Sequence, residues 1–263
     1  MHTPDRHRLL KLIAAACLSI GLPLSGPAFA APDEIQVYTD DMDAPGDVGL
    51  ELHINYVPKG AKTPSYRGEM ISNHRLQVTP EFSYGFTKEL EGGLYLPFAL
   101  SGDGNFYNNG LRLRLKYIAE QPENSAFFWG LNTELGYFTR RVSDSTWGME
   151  LRPIWGVRWN KWTFDINPII DLPLSTGGIR SAAFEPAVKL SREVAHGVEL
   201  GIEHYSGLGP LRDLSPASQQ EHSVYAVADV ALKGMELNVG IGKGYKNTED
   251  EWVMKAIVAL PID

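Results

Sequence analysis

The sequence reads Val48-Gly49-Leu50-Glu51-Leu52-His53-Ile54-Asn55-Tyr56, with an apolar residue at every even position and a polar residue or glycine at every odd position. Because successive side chains of a β-strand point to opposite faces, this stretch has one apolar face and one polar face. About eleven later stretches repeat the alternation, and in each the apolar face carries almost no charge. The pattern predicts a membrane-spanning β-barrel.

Each of these stretches is close to the ~9–11 residues that a tilted membrane-spanning strand needs. We therefore expect residues 48–263 to form an all-β, 12-stranded, antiparallel, up-and-down transmembrane β-barrel. A soluble β-sandwich or a lipocalin-like barrel also alternates along its strands. However, twelve strands spaced ~4.8 Å apart and tilted ~40° close into a ring about 24 Å across, which one layer of apolar side chains does not fill. The apolar face is thus expected to contact lipid.

The connections predict the orientation of the barrel. The turns after the even strands are short, as at Thr87–Glu89, Asn160–Lys161 and Lys233–Gly234, whereas the loops after the odd strands are longer, above all Ser206–His222. Short periplasmic turns and longer outer loops are typical of bacterial outer-membrane barrels. Aromatic residues cluster at the two predicted membrane interfaces, where amphipathic rings are favoured. They are Tyr84, Phe86, Tyr117, Phe127, Trp129, Trp159 and Trp162 at one end, and Tyr56, Phe98, Tyr137, Trp147, Phe184 and Trp252 at the other.

The first 30 residues have the features of a secretory signal peptide. Three basic residues precede an apolar run over residues 12–24, and the small residues of Ala28-Phe29-Ala30 form a cleavage site. Residues 31–47 then form an acidic N-terminal leader before the barrel. Removal of residues 1–30 takes away three basic residues and one acidic residue, so the net charge changes from −8 to −10 and no cysteine remains. We expect export to the outer membrane, contact with outer-membrane lipids, and no nucleic-acid partner.

The leader contains several carboxylates and could either enter the barrel lumen or bind a divalent cation. No spacing within it matches a calcium-binding loop, so a solvated periplasmic leader is the favoured prediction.

The polar face predicts a charged lumen with two unlike walls. Strands four and six carry most of the basic residues and strands eight to eleven carry acidic ones, and in a ring of twelve the fourth strand stands opposite the tenth. Charged pore walls orient polar solutes, whereas ion pairs between neighbouring strands would narrow the channel. We expect a narrow or partly plugged pore. The predicted lumen-lining charges are Arg112, Arg114, Lys116, Arg152, Arg158, Glu134, Glu150, Glu185, Glu199, Glu203, Asp229 and Glu236.

An enzymatic alternative rests on His204 and Ser206, whose spacing resembles the catalytic pair of the outer-membrane phospholipase family. Only these two residues match, and no outward-facing asparagine at that height completes a catalytic set. His53 and His74 lack a metal-ligand spacing. We therefore predict no enzymatic activity, no catalytic residues, no cofactor and no metal site. A third possibility is a closed structural barrel that presents the Ser206–His222 loop to a partner.

Longer stretches carry a family resemblance. They include Glu34-Ile35-Gln36-Val37-Tyr38, residues 201–210, Leu237-Asn238-Val239-Gly240-Ile241-Gly242 and Trp252-Val253-Met254-Lys255. These resemble an uncharacterised proteobacterial outer-membrane β-barrel family that is similar to the phenol-degradation-pathway (MetA-type) transporter-like proteins. The resemblance implies a barrel that transports small molecules. Together with the charged lumen it leads us to predict a pore or transporter-like protein for small-molecule solutes, with aromatic ones among the candidates.

Overall fold

The computed structural model describes residues 34–122 and 125–262, and nearly all regular structure within them is β-strand. The predicted signal peptide, residues 1–30, lies outside the described residues. In chain order the strands are β1 (Val48–Lys59), β2 (Leu76–Gly85), β3 (Leu90–Tyr95), β4 (Phe98–Leu100), β5 (Phe106–Asn108), β6 (Gly110–Ile118), β7 (Phe127–Phe138), β8 (Trp147–Trp159), β9 (Trp162–Asn167), β10 (Ile170–Pro173), β11 (Ala183–Phe184), β12 (Ala187–Ala195), β13 (Val198–Gly207), β14 (Glu221–Leu232), β15 (Met235–Lys246) and β16 (Trp252–Ile262). A short 3₁₀ helix covers Gly178–Ser181.

These sixteen segments form twelve barrel strands, because four strands are interrupted. The pairs β3 and β4, β5 and β6, β9 and β10, and β11 and β12 are each separated by one or two residues. Three of the gaps contain a proline (Pro97, Pro168 and Pro186), which has no backbone N–H for the ladder. All pairings are antiparallel, and β1 pairs with both β2 and β16. The predicted closed 12-stranded antiparallel barrel is confirmed.

The two ends of the barrel differ in the length of their connections. The short-turn end carries the turns at residues 86–89, 160–161, 196–197 and 233–234, and the long-loop end carries loops such as residues 60–75 and 208–220. Asn160 and Lys161 both have positive φ, 45° and 70°, as a two-residue type I′ hairpin turn requires. Val48 pairs with Ile262, so the first and last strands both have their terminal residues at the short-turn end.

The outer surface is an apolar belt between two rings of aromatic side chains. Leu113 on β6 is 53% exposed and Ile202 on β13 is 59% exposed, as alternation with the polar face predicts. Rings contact each other edge-to-face at both rims, as in Tyr117 with Trp129 and Tyr137 with Trp147. Within the described residues no helix is long and apolar enough to cross a membrane.

The interior of the barrel contains part of the leader, beginning at residue 34 of the described chain, although the sequence predicted a solvated segment. Three small apolar clusters form around it: Ile35 packs with Val57, Tyr225, Val227 and Val253; Tyr38 packs with Ile118, Phe128 and Ile154; and Val37 packs with Ile169 and Ala187. The prediction of a solvated periplasmic leader is therefore wrong for residues 34–38. Its apolar residues bury surface against luminal side chains, which offsets the cost of ordering the segment.

Candidate functional site

A segment near the start of the described chain lies in the middle of the lumen. We call residues 34–43 the plug. The plug enters at the short-turn end, where the N–H of Gly46 donates to the carbonyl of Gly85 (2.8 Å) and the N–H of Asp43 donates to Glu91 (2.6 Å). It then runs towards the long-loop end, where Lys255 Nζ donates to the carbonyl of Ile35 (2.9 Å). Successive luminal side chains of β6 contact successive parts of the plug.

Glu34 anchors the inner end of the plug to two arginines. Its carboxylate lies 3.2 Å from Arg112 Nη2 and 3.8 Å from Arg152 Nη1, and the residue is 3% exposed. Burial alone would raise the pKa of Glu34, but the guanidinium groups of Arg152 and Arg112 outweigh it and hold the pKa below its usual value. Both arginines also have a carboxylate on the barrel wall, Glu134 at 3.0 Å from Arg112 and Glu150 at 2.7 Å from Arg152.

Tyr38 occupies an aromatic site lined by cations. Its ring centroid lies 4.3 Å from Arg152 Cζ, 5.1 Å from Lys116 Nζ and 5.8 Å from Arg114 Cζ. Cations over an aromatic face are attracted by the quadrupole of the ring. The Tyr38 hydroxyl shares a hydrogen bond with the Tyr95 hydroxyl (2.6 Å) and lies 3.2 Å from Glu134 Oε1, to which it donates. The ring is thus held on its face and at its edge.

Backbone groups of the plug are also satisfied by the barrel wall. Asn167 accepts a hydrogen bond from the N–H of Tyr38 (2.6 Å) and donates to its carbonyl (3.0 Å). Arg152 donates to the carbonyl of Gln36 (3.1 Å), and Lys116 donates to the carbonyl of Asp41 (2.6 Å). Since buried backbone groups need partners, these contacts give the plug one register within the lumen.

The structure places the predicted basic residues against the plug and against neighbouring carboxylates. Arg114 pairs with Glu81 and Glu91, both at 2.6 Å, and Arg158 pairs with Asp40 at the short-turn end. The basic wall therefore carries its own carboxylates, and the separation of charge is less complete than the sequence predicted. Gly93 allows this packing, because a Cβ there would lie 2.7 Å from Arg114 Nε.

The predicted acidic residues are likewise mixed with lysines. Glu203 is 1% exposed and bonds Lys255 Nζ at 2.6 Å, and Asp229 bonds Lys189 Nζ at 2.8 Å. The remaining predicted residues are less buried: Glu185 and Glu199 are half-buried and Glu236 is exposed. The predicted set of lumen-lining charges did not include Glu34 and Tyr38 of the plug, nor Glu81, Glu91, Tyr95, Lys189 and Lys255, although the last five alternate onto the polar faces of their strands. The glutamates and lysines on the strands could have been included, because charged residues at alternate strand positions indicate the luminal face.

An open cavity of about 780 Å³ lies between the plug and the later strands at the short-turn end. Eleven carboxylate residues and four basic residues line it. Glu193, Glu199 and Asp229 stand directly opposite one another on β12, β13 and β14. The cavity is therefore strongly acidic and ends at the plug.

The loops at the long-loop end are joined to one another. The N–H of Met70 donates to the carbonyl of Arg141 (2.9 Å), which joins the first loop to the third. Arg75, which is fully buried, lies 3.7 Å from Asp250. Burial raises the pKa of Asp250, and the charge of Arg75 opposes that rise. These contacts order the loops at the long-loop end, and the plug lines the acidic cavity towards the short-turn end.

The residues of the enzymatic alternative lie outside the lumen. Ser206 Oγ is 3.2 Å from His222 Nδ1 and 3.4 Å from His204 Nδ1, and His204 Nε2 is 2.9 Å from the hydroxyl of Tyr245. Within the part of the chain that the structure describes, no carboxylate or amide hydrogen-bonds either imidazole. The cluster brings a serine to two histidines, and among the described residues the hydroxyl of Tyr245, not a carboxylate or amide, bonds the ring of His204.

Comparisons with known proteins agree with this architecture. No protein-family model matches the sequence, and no curated protein matches it. The chain is similar in structure to the COG4313 outer membrane channel from Pseudomonas putida F1, with a TM-score of 0.60, 12% identity, and coverage of 87% of this chain and 100% of that chain. It is also similar to the KdgM porin (TM-score 0.56, 9% identity, 82% and 99% covered) and the NanC porin (TM-score 0.54, 8% identity, 81% and 99% covered). At these identities the likeness shows a shared outer-membrane barrel fold, and the resemblance to the phenol-degradation-pathway family stays a prediction.

Proposed function

We propose that this chain is an outer-membrane pore, or transporter-like barrel, for small-molecule solutes, and that residues 34–43 close it reversibly. One observation carries the proposal: a segment of the chain itself threads the lumen and is held there by ion pairs and hydrogen bonds to the wall. A structural barrel would gain more stability from a well-packed apolar interior than from buried ion pairs. A polar lumen with a removable occupant suits passage of solutes.

The chemistry around Tyr38 and Glu34 supports aromatic or anionic solutes. When the plug leaves, the cationic surface over Tyr38 and the arginine pair at Glu34 become available to a flat ring or a carboxylate. Arg152 contributes to both positions, because it lies 4.3 Å from the Tyr38 ring and 3.8 Å from Glu34. A solute carrying both groups would compete with the plug for the same residues.

The location follows from the same proposal. The apolar outer belt and its two aromatic rims fit an outer membrane, with lipids as partners and the short-turn end towards the periplasm. Export through cleavage of residues 1–30, which leaves residues 31–47 as leader and plug, belongs to this proposal.

Planar-bilayer recording of the purified barrel tests the function. Wild-type protein should conduct rarely, and a variant that lacks residues 34–43 should show steady conductance steps. In that deleted background, Arg112→Glu with Arg114→Glu should shift selectivity towards cations, because both side chains line the freed lumen. Silent bilayers for the deletion variant, with the barrel folded, would count against a pore and favour the closed structural barrel.

A further inference from the structure

Three luminal side chains on the first two strands form a cluster that the proposed pore does not use. Glu51 and His53 alternate on β1 and so share one face, and Glu81 stands directly opposite Glu51 on β2. The sequence suggested no metal ligand at His53, because the third member of the cluster comes from a neighbouring strand.

The ligand atoms of this cluster are already close together. His53 Nε2 lies 3.1 Å from Glu81 Oε2 and 3.5 Å from Glu51 Oε2, and the three ligand atoms lie within 4.8 Å of one another. In a tetrahedral site with metal–ligand bonds of about 2.0–2.1 Å, neighbouring ligand atoms are about 3.4 Å apart. The two separations from His53 Nε2 bracket that distance.

Charge also favours a cation at this position. Like charges directly opposite each other on paired strands destabilise a sheet. Arg114 Nη2 lies 2.6 Å from Glu81 Oε1 and compensates that oxygen, while Glu81 Oε2 faces His53. Among the described residues, His53 is the basic group within ion-pair distance of Glu51, and the Glu51 side chain is 33% exposed.

The surroundings supply access. Glu51 and Glu81 both line the acidic cavity at the short-turn end, whereas His53 is 1% exposed. A cavity lined mostly by carboxylates raises the local concentration of cations. Glu51, on the cavity side, leaves a position at which water can complete the coordination.

We propose that Glu51, His53 and Glu81 bind a divalent transition-metal cation of the zinc class. One imidazole and two carboxylates suit Zn²⁺, whereas Ca²⁺ and Mg²⁺ prefer oxygen ligands alone. The site is independent of the proposed pore, because none of its ligands belongs to the plug and binding requires no conduction.

Calorimetric titration of the detergent-solubilised full barrel with Zn²⁺, after treatment with a chelator, tests the site. We expect one Zn²⁺ per chain, and affinity reduced about tenfold or more in His53→Asn and in Glu81→Gln, since loss of a ligand costs at least as much as loss of a supporting contact. Glu199→Gln is the matched control, because it removes the same charge from the same cavity without touching the cluster. Excess Mg²⁺ should not displace Zn²⁺.

Visible absorption of the Co²⁺-loaded wild-type barrel gives a second measurement that needs no variant. Intense bands typical of tetrahedral Co²⁺ are expected. These bands should disappear in the His53→Asn variant, provided that the variant still shows the heat-dependent gel shift of a folded barrel. Equal losses of Zn²⁺ affinity in Glu199→Gln and Glu81→Gln, or unchanged affinity in folded His53→Asn, would overturn the site. Octahedral Co²⁺ spectra from the wild type would overturn it as well, even if the variants did not fold.

Discussion

Neutralising Glu34 should open the plug while leaving the barrel intact. In Glu34→Gln the side chain keeps its length and can still accept a hydrogen bond, but it loses its charge. The wild-type carboxylate lies 3.2 Å from Arg112 and 3.8 Å from Arg152. These contacts join the plug to the wall, so their weakening acts on the closed state alone.

The size of the increase in open channels depends on which carboxylate partners Arg112 and Arg152 keep in Glu34→Gln. Breaking a buried ion pair costs about 3–5 kcal/mol when the remaining charge has no other partner. Here Arg112 keeps Glu134 at 3.0 Å and Arg152 keeps Glu150 at 2.7 Å. The loss should therefore lie near the ~1.5–3 kcal/mol of a charged hydrogen bond. At about 1.4 kcal/mol per factor of ten, the ratio of open to closed channels rises roughly 10- to 100-fold.

Single-channel recording in planar bilayers measures this ratio as the fraction of time spent conducting. Glu199→Gln provides the control, because Glu199 bonds Ser191 and does not contact the plug. Glu34→Asp, which keeps the charge on a shorter side chain, should fall between the wild type and Glu34→Gln. An open fraction in Glu34→Gln equal to that of the control would refute the reasoning, because the ion pairs would then not hold the plug.

Three further predictions concern the same lumen and its surface. Tyr38→Ala should raise the open fraction more than Tyr38→Phe, because Phe keeps the cation contacts and loses only hydrogen bonds worth about 1 kcal/mol each; bilayer recording of both variants checks the order. Because the pKa of Glu34 is depressed, Glu34 stabilises the closed state at every pH above its usual pKa of 4.5, and this stabilisation is lost as the pH falls through the lowered pKa. The conductance of the wild type should therefore rise only below pH 4.5. A pH series on Glu34→Gln should lack the increase in conductance that is caused by protonation of Glu34. The wild type should release no fatty acid from phospholipid vesicles, and Ser206→Ala should be identical to it; release that Ser206→Ala abolishes would instead support the hydrolase.

The barrel was predictable because its determinants are local. Side-chain alternation along one strand fixes which residues face lipid, as Leu111, Leu113 and Leu115 on β6 show with exposed fractions of 43%, 53% and 46%. The two residues Asn160 and Lys161 were likewise enough to predict the tight turn that they form. Each of these features depends on contacts between neighbours in sequence or on an adjacent strand.

The plug was not predictable in the same way, because its contacts join residues far apart in the chain. Lys255 reaches the carbonyl of Ile35 across 220 residues, and Asn167 binds Tyr38 across 129. Its acidic composition indicated solvation, and the apolar residues Ile35 and Val37 were too few to form a periodic pattern. An apolar residue on the luminal face of a strand, such as Phe128, was a signal that another part of the chain occupies the lumen. In a water-filled lumen such a side chain would be exposed to solvent, whereas Phe128 is buried.

The distribution of charge explains why the closed state need not be permanent. Removing one member of a buried ion pair is costly mainly because the other member is left uncompensated. When the plug leaves, Arg112 still has Glu134, Arg152 still has Glu150 and Lys255 still has Glu203. These three cations are thus compensated by the wall in both states, and water replaces their contacts to Glu34 and to the plug carbonyls. An apolar plug of similar size would instead expose apolar surface on both itself and the wall, at ~25 cal/mol per Å². Although Ile35, Val37 and Tyr38 pack in apolar clusters, a plug bound by shared ion pairs therefore combines a specific closed arrangement with a lower cost of release than an apolar plug, as a gated pore requires.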